Sequence, residues 1–99
     1  MDDSTEPRER DNDVIKKKEM ILDDIVRMLS QALEISSTDI KSDLDLTKDL
    51  ILDSLQLYEL VIELEEAYNI RLPDELIDQV ETIDDVVDLV YDLSQDKQS

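Results

Sequence analysis

Three amphipathic stretches with apolar residues every three and four positions, one long polar connection and one proline-marked break predict an all-α fold. The form expected is a small four-helix bundle, three main helices plus one short helix, with a long loop between helices 1 and 2. At 99 residues the chain makes one domain with a modest core. That core is aliphatic by necessity, since there is no Phe or Trp and only three Tyr.

The elements follow in order. Residues 1–12, MDDSTEPRERDN, are polar, contain Pro7 and show no apolar period; they read as a disordered leader. From about Asp13 to Glu34 a helix is expected to bury Leu22, Ile25, Val26, Leu29, Ala32 and Leu33, with Ile21 and Met28 at one edge. Lys16 to Lys18 form a basic run that offsets the acids of the same helix. Between Ile35 and Asp53 no helical period is sustained. Ile40, Leu44, Leu46 and Leu50 mark a loop pinned to the core at intervals, with a short helix around Thr38 to Lys41. A second long helix runs from about Ser54 to Tyr68, and a short helix opens near Pro73. Thr82 with Asp85 three residues on resembles a capping box, followed by the stripe Ile83, Val86, Val87, Val90 and Leu93. The folded domain thus spans residues 13–94, and 95–99 fray.

Composition excludes much chemistry. There is no Cys, His or Gly, which removes disulfides, thiolate nucleophiles, the usual general base and glycine-built phosphate loops. No apolar run is long enough to span a membrane, and the acidic N-terminus is unlike a signal peptide, so a cytoplasmic location is expected. The net charge of −18 disfavours nucleic acid and anionic membranes and favours basic protein surfaces. Between Asp49 and Asp96 stand fifteen acids and one base, Arg71, which places the acidic face in the C-terminal half.

The helix after Asp53 carries two apolar faces. With Leu57 at zero and about 100° per residue, Leu60, Val61, Leu64 and Tyr68 fall within about 60° and form a core stripe. Leu55 and Ile62 lie nearly opposite, beside Glu59 and Glu66, and Tyr58 and Glu65 fall between the faces. Two readings stay open for Leu55 and Ile62: packing against the long loop or the short helix, or a docking strip flanked by Asp53, Glu59, Glu63 and Glu66. Two also stay open for Ser54: a helix N-cap, as its position after Asp53 favours, or an exposed hydroxyl available for modification.

Asp49-Leu50, Asp53-Ser54-Leu55, Glu59-Leu60-Val61, Leu64-Glu65-Glu66 and Leu72-Pro73-Asp74-Glu75, in that order and spacing, resemble the acyl carrier protein family over roughly residues 20–93. The resemblance implies that Ser54 receives 4′-phosphopantetheine from coenzyme A, and that the arm's thiol carries acyl or aminoacyl cargo as a thioester. It implies roles for Asp53 in positioning the transferase's metal and substrate, for Leu55 and Ile62 as apolar docking contacts, and for Glu59 with Glu65 or Glu66 as charge contacts. The partners implied are a phosphopantetheinyl transferase and acyl-processing enzymes with basic patches, met by a monomer that is not itself an enzyme. Fatty-acid or related, polyketide-type, biosynthesis is the pathway class. Ile51 and Leu52 stand where many fatty-acid carriers have Gly-Ala, and an apolar residue before the Asp also resembles D-alanyl and other aminoacyl carriers. Two readings from other classes remain: an unmodified acidic helical adaptor, and a calcium-binding protein using Asp43, Asp45 and Asp49, which lacks the glycine an EF-hand loop needs.

Overall fold

The computed structural model describes the backbone of residues 5–98 and the side chains of residues 13–95. The described residues form four helices, α1 (Thr5–Leu33), α2 (Ser54–Tyr68), α3 (Asp74–Ile77) and α4 (Ile83–Gln98), with a 3-10 turn at Ser37–Asp39. Among the described residues there is no strand, only an isolated bridge between Asp45 and Thr82. α1 packs against α2 and α4, and α2 against α4.

α1 starts ahead of the expected boundary at Asp13. Pro7 does not stop it, because a residue in the first turn has no intrahelical acceptor for its N–H in any case. The expected leader therefore divides: residues 1–4 lie outside the described residues, and 5–12 have helical backbone. At the other end α4 runs to Gln98 where fraying from residue 95 was expected, and Ser99 lies outside the described residues.

The core is aliphatic. Ile25, Leu29, Leu46, Leu64, Ile83 and Val90 are its most enclosed side chains, each burial contributing about 1.5–3 kcal/mol. The stripe of α1 is rotated from the expected one: Ile21 lies in the core, Leu22 and Val26 flank it, and Ala32 is exposed. On α2, Leu60, Val61 and Leu64 are buried, whereas Leu57 and Tyr68 are partly buried against the core. Tyr68 donates its hydroxyl hydrogen bond to Asp24, tying the end of α2 to α1. Burial, reinforced by that carboxylate, pushes the phenol well above its usual range.

The long connection is a pinned loop. Ile40, Leu46 and Leu52 are buried within it, and the expected short helix appears as the 3-10 turn one position earlier, capped by Ser36. Leu46 N donates to Glu81 O at 2.8 Å, and the first two amides of α4, of Ile83 and Asp84, donate to the carbonyls of Leu44 and Ser42. Thr82 and Asp85 form the expected capping box: Asp85 N donates to Thr82 Oγ1 at 3.2 Å, and the amides of Glu81 and Thr82 donate to Asp85 Oδ2. α3 is preceded by Pro73 as its cap residue, without a side-chain cap bond.

Lys18 crosses to α4, 3.0 Å from Asp88 and 5.3 Å from the ring centroid of Tyr91. The basic run thus serves a neighbouring helix as well as its own. Both ends of the ion pair are solvent-accessible, so its contribution is about 0–1 kcal/mol.

Among the described residues three adopt left-handed backbone, in a chain without glycine: Glu34 (φ 58°), Ile51 (φ 54°) and Asn69 (φ 55°). Two of them end helices. Ile35 N donates to Ser30 O and Ile70 N to Glu65 O, the six-to-one bond of a Schellman close. Asn tolerates this conformation; at Glu34 and Ile51 the side chain adds strain of roughly 1–2 kcal/mol.

Candidate functional site

The site forms where the pinned loop enters α2. Asp53 Oδ1 accepts from Gln56 N at 2.8 Å, and Gln56 Oε1 accepts from Asp53 N at 3.2 Å. This reciprocal pair is a capping box with Asp53 as N-cap. The expectation that Ser54 caps the helix is thereby corrected: Ser54 is the first helical residue, and its hydroxyl has no hydrogen-bond partner among the described residues. The signal was in the sequence, since Asp53 is followed three residues later by Gln56. Both Asp and Ser are good caps, and only one can take the non-helical backbone that the role requires.

Ser54 is exposed. The amides of Ser54 and Leu55 have no acceptor among the described residues, which leaves the positive end of α2 open next to the hydroxyl. A phosphodiester carried on that oxygen fits this environment, because anions are favoured at a helix N-terminus.

The outward side of α2 is apolar as well as acidic. Leu55 is 65% exposed, Tyr58 60% and Ile62 37%. Leu55 and Tyr58 are neighbours one turn apart, and Ile62 follows a turn further on. Ile62 also borders a groove of about 410 Å³ between α1 and α2, whose walls include Met28, Leu29, Leu52 and Leu60 and whose rim includes Glu59 and Glu63. Neither Leu55 nor Ile62 is buried by the loop or by α3. Tyr58, placed between faces by its angle alone, belongs to the exposed strip.

The acids separate into two groups. Glu59, Glu63 and Glu66 are exposed and have no basic partner among the described residues. Glu65 turns away, with Oε2 accepting from Leu72 N at 2.8 Å. It holds the segment between α2 and α3, whereas Glu66, the other acid expected to make charge contacts, is exposed.

The loop acids are also engaged in holding backbone. Asp45 Oδ1 accepts from the amides of Thr47 and Lys48 and from the Thr47 hydroxyl, and Asp49 Oδ2 accepts from Asp45 N. These bonds, with that from Lys48 N the largest influence, draw the Asp45 carboxyl below its ordinary range. No group of three or more acids among the described residues has metal-site spacing. No helix among them is long and apolar enough to cross a membrane.

Comparison with known proteins bears on the family. Residues 23–90 match the family model "Phosphopantetheine attachment site". The chain is 38% identical over 73 residues to the acyl carrier protein of Prochlorococcus marinus (strain MIT 9515), covering 74% of this chain and 91% of that one. It is 39% identical over 67 residues to the acyl carrier protein of Wolinella succinogenes, covering 68% and 88%. Among solved structures, the solution structure of the apo doublet acyl carrier protein from prodigiosin biosynthesis superposes with a TM-score of 0.65 at 22% identity, over 78% of this chain and 37% of that one; it speaks for the fold alone. The helical bundle, the attachment-site match over most of the domain and these relatives together establish that the chain belongs to the acyl carrier protein family, whose members bear 4′-phosphopantetheine and are carriers, not enzymes.

Proposed function

We propose that this protein is a discrete acyl carrier whose arm is attached at Ser54, and that it delivers acyl thioesters in the cytoplasm to enzymes of fatty-acid or related, polyketide-type, biosynthesis. The observation that carries the assignment is the division of labour at the start of α2. Asp53 and Gln56 close the helix end, and the Ser54 hydroxyl next to them is exposed and unused.

Loading requires only that oxygen from this chain. Ser54 Oγ attacks the phosphorus of coenzyme A next to the pantetheine unit; an O–P bond forms, the phosphoanhydride bond breaks, adenosine bisphosphate leaves, and the hydroxyl proton passes to the transferase. Once attached, the arm supplies a thiol for thioester chemistry. The chain's own part is then recognition. Leu55 and Ile62 offer small apolar contacts, and Glu59, Glu63 and Glu66 attract basic partner surfaces through fast, salt-sensitive encounters. The apolar groove between α1 and α2 supports acyl over aminoacyl cargo.

Intact mass after incubation with coenzyme A, magnesium and a broad-specificity phosphopantetheinyl transferase tests the assignment. Wild type is expected to gain one arm per chain and Ser54→Ala none. No gain on wild type, or an equal gain on Ser54→Ala, contradicts it.

A further inference from the structure

Ile51 is the residue the fold leaves unexplained. Its backbone is left-handed, at φ 54°, a genuine outlier for a β-branched side chain. The reason for the backbone is visible. Leu50 N donates to Asp45 O and Leu52 N donates to Leu46 O, while Leu52 is buried; between those anchors the chain must turn, and whatever stands at 51 points outward. The turn calls for left-handed backbone and needs no apolar side chain. Glycine or asparagine would meet it with less strain, and the other two left-handed positions carry polar Glu34 and Asn69. Instead Ile51 is 75% exposed, the most exposed large apolar residue described.

Its place is informative. Ile51 stands three residues ahead of Ser54 in the loop that leads into α2, and it is exposed, as are Leu55 and Tyr58 in the first turns of that helix. Exposed Asp49 and Asp53 flank it, so a surface that fits here has an apolar hollow ringed by basic groups. Strain retained where it does not serve folding points to function.

We propose that Ile51 is a specificity-determining contact for the transferase that loads Ser54, held out next to the hydroxyl so that it enters an apolar hollow on that enzyme and extends the contact made by Leu55. The proposal rests on the carrier reading above.

Steady-state loading kinetics, with the apo carrier as varied substrate and intact mass as readout, test it alongside thermal denaturation of the same apo proteins. Ile51→Gly and Ile51→Asn both relieve the backbone and remove the apolar contact. Each is expected to raise KM about five- to tenfold, the loss that follows when one partly buried aliphatic contact is removed, with kcat within about twofold because the hydroxyl is undisturbed. Each is also expected to raise the thermal midpoint by a few degrees. A wild type that takes no arm refutes the carrier reading and this proposal with it. A wild type that is loaded, with KM unchanged in either variant or the midpoint lowered, overturns this proposal alone.

Discussion

The starts of α2 and α4 are built from the same parts and left in opposite states. Each follows a cap residue whose side chain closes a reciprocal box, Asp53 with Gln56 and Thr82 with Asp85. At α4 the first two amides are taken by the carbonyls of Leu44 and Ser42, and the first residue, Ile83, is fully buried. At α2 the first two amides meet no acceptor among the described residues, the first residue is an exposed serine, and the second is an exposed leucine. Capping therefore stabilises a helix end without deciding whether that end is closed. The loop decides: it lays its backbone over α4 and only leads into α2. One end is spent on the fold and the other is available to partners.

The sharpest way to break this comparison is to truncate the matching apolar residues. Ile83→Ala is expected to cost about 2–5 kcal/mol, as a core truncation that leaves a cavity. Leu55→Ala, outside the core, is expected to change stability by no more than about 0.5 kcal/mol. Urea denaturation midpoints check both; similar losses would mean that the α2 end is packed after all.

Much of this division was legible in the sequence. The limits of α2 and its opposed faces follow from helix geometry, because 100° per residue leaves Leu55 and Ile62 no route to the core that holds Leu60, Val61 and Leu64. The Thr82 box and the pinning by Ile40 and Leu46 were likewise visible as spacing and as isolated apolar residues in a polar run. What could not be read there depends on contacts that the repeating spacing of a helix does not report. Nothing local tells that Glu65 reaches the amide of Leu72, that Lys18 crosses to Asp88, or that the anchors on either side of Ile51 force its backbone left-handed. The choice of Asp53 over Ser54 as cap lay between, signalled by Gln56 and masked by two good candidates side by side.

A smaller effect sharpens the contrast through pH. The Asp85 carboxyl is drawn below the ordinary carboxylate range, first by the Glu81 amide and then by that of Thr82. A group whose folded value is depressed contributes stability above its unfolded value and loses it as pH falls through the folded one. The contribution of Asp85 is therefore present above about pH 4 and disappears below it. Thermal midpoints of wild type and Asp85→Asn between pH 6 and 2.5, roughly the span over which such carboxyls titrate, are expected to differ at the upper end and converge at the lower. A constant gap across that range would show that the box does not depend on the charge.

Among the described residues the Ser54 oxygen is free of the fold while Asp53, one residue earlier, is bound into it. Denaturation midpoints of Ser54→Ala and Asp53→Ala, measured side by side, test it most directly. Asp53→Ala is expected to lose about 1 kcal/mol, the usual contribution of a cap, and Ser54→Ala to stay within about 0.5 kcal/mol of wild type. The reverse order would assign the cap to Ser54 and contradict the account.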